Sequence, residues 1–173
     1  VNDAYGCMAT NGVTINEPGA LTSIVSATAA TCNGASDGSA SVAASGGTGA
    51  FTYLWSNSAT TQNISGLVAG TYTVIVTDAN GCIKNDTANI SQPAAIVAAF
   101  TSNAPQCSGS SVNFVNTGTT AATYLWNFGS GATPVTSTLE NPSGIVYSTS
   151  GIKTVQLITT LGSCSDTSIQ TIT

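Results

Sequence analysis

Short runs of apolar and β-branched residues alternate with polar residues along the whole chain, and glycine-rich turns separate them. In residues 72–76, for example, a period of two places Tyr72, Val74 and Val76 on one face. The same pattern predicts these strands: Leu21–Thr28, Gly38–Ala44, Thr52–Trp55, Gly70–Thr77, Ala88–Ser91, Ala98–Ser102, Ser111–Asn116, Thr123–Phe128, Gly151–Thr160 and Ser168–Thr173. Short strands at this regular spacing predict an all-β fold of tandem β-sandwiches.

The composition favours strands over helices. Of 173 residues, 50 are Ser or Thr, whereas Glu, Lys, Arg and Gln, which suit exposed helix faces, are scarce. With 42% hydrophobic residues the chain should fold rather than stay disordered. No apolar run is long enough to predict a transmembrane helix, so we expect no direct membrane insertion.

The charge excludes several classes of function. The chain has two Lys, no Arg and no His against seven Asp or Glu, and its net charge is −5. We therefore expect no nucleic-acid partner, because phosphates need several cationic contacts. Without His, a Ser nucleophile lacks its usual base, and the acidic residues stand singly in turn-like contexts. We expect no enzymatic activity and no catalytic residue.

An internal repeat organises the first half of the chain. Residues 1–18 align with residues 76–93 at a constant offset of 75, and seven of the 18 positions are identical. The alignment predicts that residues 1–18 are the C-terminal strands of a preceding module and that 19–93 form one complete module. Residues 94–173 form a further domain, in which Tyr-Leu-Trp recurs at residues 124–126.

Five cysteines are distributed according to these modules. Cys32 and Cys82 stand near the start and end of the complete module, and Cys107 and Cys164 do so in the next domain. We predict disulfides Cys32–Cys82 and Cys107–Cys164, each contributing about 4 kcal/mol on the chain-entropy view. Cys7 is then the odd cysteine, with its partner upstream. The alternative is buried thiols. Disulfides indicate an oxidising, extracellular location, and the lack of His and of Cys-x-x-Cys spacing argues against zinc.

Residues 32–93 carry an ordered set of motifs: Cys32-Asn-Gly, Asp37-Gly38, Tyr53-Leu-Trp55, Gly70-Thr-Tyr72 and Asp78-Ala-Asn-Gly-Cys82. This set resembles the SprB repeat, found in very large surface adhesins of gliding Bacteroidetes. The resemblance covers the whole module and the partial copy at residues 1–18.

Residues 96–173 resemble a polycystic-kidney-disease (PKD) domain. The resemblance rests on Trp126-Asn-Phe-Gly-Ser-Gly131, Asn141-Pro142, Tyr147, Gly151 and Val155-Gln-Leu157. The family has two acids where Asn127 and Ser130 stand, so this chain lacks the carboxylates of any cation site there.

Together these resemblances imply tandem immunoglobulin-like β-sandwiches in a large cell-surface adhesin or filament. They imply an extracellular, outer-membrane-associated protein exported by the type IX system, with a role in adhesion or gliding motility. The partners would be neighbouring modules of the same or adjacent chains, and a surface glycan. The alternative is an accessory spacer or carbohydrate-binding module of a secreted multidomain enzyme. A third possibility is a fibre subunit completed by strands from a neighbour.

Two aromatic pairs are candidate sites. Trp55 and Trp126 would either fill sandwich cores or serve as sugar-stacking platforms, and we favour the core. Tyr53 and Tyr124 precede them by two residues and share their strand faces.

Other candidates lie in turns and on a strand. Asp78, its repeat equivalent Asp3 and Asp37 each precede a nearby glycine, which favours Asx turns. The alternative is calcium, with Asn80 as a further ligand; we expect no other cofactor. Asp86-Thr87-Ala88 resembles the bacterial O-glycosylation motif of Bacteroidetes, which would place a glycan on Thr87.

Overall fold

A computed structural model describes residues 4–8, 11–14, 16–104, 107, 109–120 and 122–173. This part of the chain folds into fifteen strands and contains no helix. The predicted all-β fold is confirmed. Within the same residues there is no helix long and apolar enough to cross a membrane.

The first six strands form two three-stranded sheets. They are β1 (Thr22–Thr28), β2 (Gly38–Ser45), β3 (Thr52–Trp55), β4 (Asn63–Leu67), β5 (Gly70–Thr77) and β6 (Ile83–Ile90). One sheet has the order β1-β2-β4 and the other β3-β5-β6. This division of strands, with a buried Trp on the third strand, is that of an immunoglobulin-like sandwich.

Strand β4 is absent from the sequence prediction. Its segment, Asn63–Leu67, contains Gly66 at a positive φ of 71°, a conformation that glycine adopts without strain. Glycine interrupts the alternation that marks the other strands, yet Ile64 and Leu67 are still buried. A short strand with a glycine kink is therefore recognisable only from its tertiary pairing.

Nine further strands form the second half. They are β7 (Phe100–Ser102), β8 (Ser111–Val112), β9 (Phe114–Asn116), β10 (Thr123–Asn127), β11 (Ala132–Thr133), β12 (Thr136–Ser137), β13 (Ile145–Tyr147), β14 (Lys153–Leu161) and β15 (Cys164–Ile172). The sheets have the orders β12-β10-β14-β15, β11-β13-β8 and β7-β9. Here too the Trp-bearing strand, β10, pairs with the first strand of the last hairpin.

The last hairpin is longer than predicted. Strands β14 and β15 pair antiparallel from Lys153↔Ile172 to Leu161↔Cys164, which leaves Gly162 and Ser163 as a two-residue turn. The prediction began the second strand at Ser168, whereas β15 starts at Cys164. The missed residues are 164–167, which have small polar side chains. These side chains nevertheless alternate between half-buried and exposed positions, which is the period of a strand.

The described residues fall into two compact units. One is drawn from 1–27, 40–64 and 71–89, and the other from 28–39, 65–70 and 90–173. The first unit buries Val42, Trp55, Ile64, Val74, Val76 and Ala88. The predicted modules 1–18, 19–93 and 94–173 were defined by sequence repeats, and their boundaries stay predictions.

The core of the second unit is aromatic. The Phe114 ring lies 5.0 Å from that of Phe128 and 5.6 Å from that of Trp126, and Phe100 meets Trp126 edge-on at 5.1 Å. Such contacts add to the hydrophobic gain of burying these side chains. These rings therefore belong to the packed interior of the second unit.

Candidate functional site

Both tryptophans are core residues. Trp55 is 1% exposed and Trp126 0% exposed. Each indole N–H donates to a backbone carbonyl at 2.9 Å, from Trp55 to Thr61 and from Trp126 to Leu139. The buried polar group is thereby satisfied, as burial requires. Neither ring is open to stack on a sugar, so the alternative of tryptophan sugar platforms is wrong.

The two tyrosines differ in burial. Tyr53 is half-buried, whereas Tyr124 lies in the core of the second unit and donates its hydroxyl to the Thr119 carbonyl at 3.2 Å. Burial, followed by the negative charge of Glu140, raises the pKa of Tyr124 above its usual value. Tyr124 is therefore a neutral structural group.

Asp78 joins the turn between β5 and β6 to the loop between β2 and β3. Its carboxylate accepts backbone N–H bonds from Cys82 at 2.8 Å, Thr48 at 2.8 Å and Asn80 at 2.9 Å, and the residue is only 5% exposed. The bonds from Cys82 and then Thr48 hold the pKa of Asp78 below its ordinary value. A Cβ on Gly47 would stand 2.8 Å from the carboxylate, so glycine permits this approach.

This geometry is the Asx turn expected of Asp-x-x-Gly. The carboxylate oxygens of Asp78 already accept hydrogen bonds from N–H donors, and a cation would have to compete with these donors. Among the described residues, no group of three or more His, Cys, Asp or Glu is arranged to hold a metal. Asp3, the repeat equivalent of Asp78, lies outside the described residues. Calcium binding stays an untested alternative.

Asp37 closes the loop between β1 and β2. Its carboxylate accepts the Thr31 hydroxyl, and it also accepts the Thr31 backbone N–H at 3.0 Å. These two bonds from Thr31 lower the pKa of Asp37. The bonds tie together the two ends of the segment that carries Cys32, so Asp37 shapes the cysteine loop.

The disulfide pairing differs from the prediction. Cys32 is bonded to Cys164, with Cα atoms 5.7 Å apart and a sequence separation of 132 residues. Cys82 and Cys107 are exposed and form no disulfide. The predicted bonds Cys32–Cys82 and Cys107–Cys164 are therefore corrected, while Cys7 is exposed and its predicted upstream partner is untested.

Strand length explains why the predicted pairs do not form. Cys82 directly precedes β6, whereas the loop of Cys32 bonds residues just after β6, since Ala30 donates to the Ser91 carbonyl at 2.9 Å. An eight-residue strand spans about 25 Å. Disulfide-bonded Cα atoms are separated by less than about 7 Å. Cys82 and Ser91 are thus at opposite ends of β6, and the segment that carries Cys32 is bonded at the Ser91 end.

The second predicted pair fails in the same way. Cys164 begins β15, while Cys107 lines a small cavity of about 100 Å³ together with Ile172 and Thr173, at the other end of that strand. Nine extended residues span roughly 30 Å. Cys107 and Cys164 are therefore at opposite ends of β15, too far apart to be bonded.

The disulfide lies in a network of linker contacts within the second unit. Gly34 donates to Gln92 Oε1 at 2.7 Å, and Asn33 Nδ2 donates to the Pro93 carbonyl at 3.2 Å. On the Cys164 side, Asp166 accepts the Ala98 N–H at 2.8 Å, and this bond lowers the pKa of Asp166. The sequence analysis did not identify Gln92 or Asp166. The available signal for Asp166 was a single acid two residues after Cys164.

Thr87 is exposed on β6, the edge strand of the β3-β5-β6 sheet. The preceding Asp86 accepts the Ser23 hydroxyl at 2.9 Å, and its other oxygen accepts the Thr87 N–H at 2.8 Å. The threonine side chain is therefore accessible to a modifying enzyme. Its glycosylation stays a prediction.

One protein-family model matches part of the chain. Residues 24–60 match the model of the SprB repeat. The match includes Cys32, Asp37 and Trp55, which the resemblance in sequence had already singled out. It supports the SprB resemblance over residues 24–60 and suggests a cell-surface adhesin-type repeat module in a cell-surface or extracellular protein. The resemblance of residues 96–173 to a PKD domain stays a prediction.

The other comparisons add little. No curated protein matches the chain. Among solved structures, the titin domains Z1Z2 in complex with telethonin match with 11% identity and a TM-score of 0.34, covering 90% of this chain and 95% of that one. A chimeric titin Z1Z2 carrying an exogenous decorin KLER peptide matches with 12% identity and a TM-score of 0.31, covering 89% and 96%. At these TM-scores the likeness carries no weight.

Proposed function

We propose that this chain is a non-catalytic repeat segment of a large bacterial cell-surface adhesin, exported to the outer membrane by the type IX system. The observation that carries the proposal is the SprB match at residues 24–60. The 75-residue repeat between residues 1–18 and 76–93 supports a tandem array. Adhesion or gliding is the finer role proposed here, with a PKD-like domain following the repeat.

The acidic side chains support a structural rather than a catalytic role. Asp37, Asp78 and Asp166 each accept backbone N–H bonds within turns or between loops. Such bonds hold a carboxylate in its ionised form and occupy the oxygens that a general base would use. The acids that the sequence made available for chemistry are thus employed in positioning loops.

Burial of the tryptophans supports adhesion through broad strand surfaces rather than a sugar-binding cleft. The outward positions of the strands are rich in Ser and Thr. For example, the hydroxyl of Ser26 on β1 and that of Ser41 on β2 share a hydrogen bond at 2.7 Å. A surface with two cations and many hydroxyls is hydrated without a strong electric field. Each contact with a polysaccharide or a solid surface would be weak, and the many modules of an array would together give a higher avidity.

Retention of coated beads under flow tests this proposal. Microspheres carrying the chain are passed over agar and over glass, and control beads carry an unrelated β-sandwich of similar net charge at equal density. We expect greater retention of the chain-coated beads on at least one surface. Equal retention on both would contradict the adhesive role and leave the accessory spacer as the better account. Antibodies against the chain should also label intact cells of the source bacterium.

A further inference from the structure

The chain contains two copies of one cysteine-bearing turn. The Cys32 carbonyl accepts the Ala35 N–H at 3.1 Å, with Gly34 at a φ of +75°. The Cys107 carbonyl accepts the Ser110 N–H at 3.0 Å, with Gly109 at a φ of +80°. Each turn follows the first strand of its sandwich and precedes the second. We call Cys32 and Cys107 the loop cysteines.

The chain also contains two cysteines at the last hairpin of a sandwich. Cys82 follows Gly81, at a φ of +83°, and directly precedes β6. Cys164 follows the turn that contains Gly162, at a φ of +63°, and is the first residue of β15. We call Cys82 and Cys164 the hairpin cysteines. Cys7 belongs to the same class by the 75-residue repeat, and it also follows a glycine at positive φ.

The one disulfide of the described residues joins one member of each class. Loop cysteine Cys32 comes from the first sandwich in sequence, and hairpin cysteine Cys164 comes from the next. The turn of Cys32 is held by Gln92 and Pro93, residues that link the two sequence modules. The bond therefore joins a loop cysteine to the hairpin cysteine of the module that follows it in sequence.

The same kind of pairing is open to a loop cysteine and a hairpin cysteine elsewhere in the chain. Loop cysteine Cys107 and hairpin cysteine Cys82 are both exposed, and neither forms a disulfide. We propose that Cys107 and Cys82 are the two halves of the same junction. In an array, Cys107 bonds the hairpin cysteine of the next module and Cys82 bonds the loop cysteine of the module before, so that every neighbouring pair is covalently stapled.

The chemistry is a thiol–disulfide exchange. The two thiols lose two protons and two electrons in forming one S–S bond, and a donor disulfide, such as oxidised glutathione or a disulfide oxidoreductase, is reduced to two thiols. Exposure of both cysteines gives the donor access. The result would be an extracellular series of modules in which every junction resists mechanical extension.

The loop of Cys107 is placed against its own module much as the loop of Cys32 is. Cys107 lines the cavity of about 100 Å³ with Tyr147, Lys153 and the end of β15. At the formed junction, Cys32 lines a cleft with Ala94 and Ile96 of the linker and with Ser163 and Ser165 of the inserted hairpin. In both places the loop cysteine stands beside the residues that end or follow the last strand of its own module.

Two copies of this chain provide the test, because a second copy presents Cys82 to the Cys107 of the first. All proteins carry Cys7→Ser, since Cys7 belongs to the same class as Cys82. The chain is oxidised in a glutathione buffer at about 1 mM protein, comparable with the effective concentration between tethered domains. We expect a ladder of disulfide-linked species on a non-reducing gel and a Cys82–Cys107 peptide by mass spectrometry.

Complementary variants define the pairing. Cys82→Ser and Cys107→Ser should each remain monomeric alone, and a mixture of the two should give a dimer and nothing larger. The Cys32–Cys164 bond must persist in every variant, which shows that the protein is folded. Monomer alone at this concentration, an intramolecular Cys82–Cys107 bond, or links between two cysteines of one class would each overturn the proposal. None of these outcomes bears on bead adhesion, so the two proposals fail separately.

Discussion

Cys32 is covalently bonded to Cys164, although 132 residues separate them in the sequence. The bond closes a loop that contains most of the described chain. Both ends of the bond are also held by hydrogen bonds, since Gln92 accepts the N–H of Gly34 and Asp166 accepts that of Ala98. The disulfide thus secures segments that are already ordered by the fold.

Removing this bond should destabilise the chain substantially. On the chain-entropy view, a loop of this length corresponds to about 5 kcal/mol, and we expect Cys32→Ser to lower the free energy of unfolding by about that amount. Denaturant unfolding followed by circular dichroism measures the change. Cys107→Ser is the matched control and should leave the monomer's stability nearly unchanged. An equal loss in the two variants would show that the pairing described here is wrong.

The tryptophan in each sandwich should be needed for stability and not for sugar binding. Trp126→Phe leaves the Leu139 carbonyl without its donor and opens a void in the aromatic core, so we expect a loss of about 2–4 kcal/mol. In the unaltered chain, tryptophan fluorescence should be blue-shifted and poorly quenched by iodide, and oligosaccharides should not change it. Quenching as strong as that of free tryptophan would contradict the burial of both rings.

Asp78 should make stability depend on acid. The pKa of Asp78 is lowered from its ordinary value because the carboxylate accepts backbone N–H bonds from Cys82 and Thr48 in the folded chain. A carboxyl with a lowered folded pKa adds stability that is fully present above its unfolded pKa and is lost as the pH falls through the folded value. We therefore expect a thermal midpoint that falls as the pH drops below about 4.

Replacing this carboxylate separates its role from that of net charge. Asp78→Asn should lower the thermal midpoint at pH 7 and reduce its dependence on acid, because an amide offers one acceptor oxygen instead of two. Glu17→Gln removes the same charge from an exposed side chain and should have little effect. If both variants behaved alike, the turn bonds to Asp78 would be of no consequence for stability.

Thr159 offers a way to stabilise the second unit. It is 0% exposed on β14, and its hydroxyl has no hydrogen-bond partner among the described residues. Thr159→Val keeps the shape and removes the buried polar group, so we expect a gain of about 1 kcal/mol in the free energy of unfolding. Thr154→Val, at an exposed position of the same strand, is the control. A loss at position 159 would mean that the hydroxyl is bonded.

We expect Thr87 to carry a glycan in the native host, because Asp86-Thr87-Ala88 resembles the O-glycosylation motif. Thr87→Ala should lower the mass of the protein purified from that host by one glycan and leave its unfolding midpoint unchanged, because the side chain is exposed on an edge strand. Thr73→Ala is the control, since Thr73 is equally exposed but is not preceded by an acid. An unchanged mass in the Thr87 variant would refute modification at this residue.

The alternation of side chains was sufficient to predict most strands and both core tryptophans. Val74 and Val76 face inwards with Trp55 because a strand turns successive side chains to opposite faces, which is a local property. The Asx turn at Asp78 was predictable for the same reason, since its bonds from Asn80 and Cys82 are only two and four residues away. The third bond, from Thr48, belongs to another loop and had no local signal.

The sequence by itself determined an all-β chain, and it placed cysteines near the start and the end of each predicted module. Only the tertiary structure decided which cysteines meet. Connectivity cannot be read from order along the chain, because two cysteines of one module can lie at opposite ends of a strand, as Cys107 and Cys164 do at β15. The hairpin of Cys164, far away in sequence, is brought instead to the Cys32 loop, where Asp166 and the linker residues hold it.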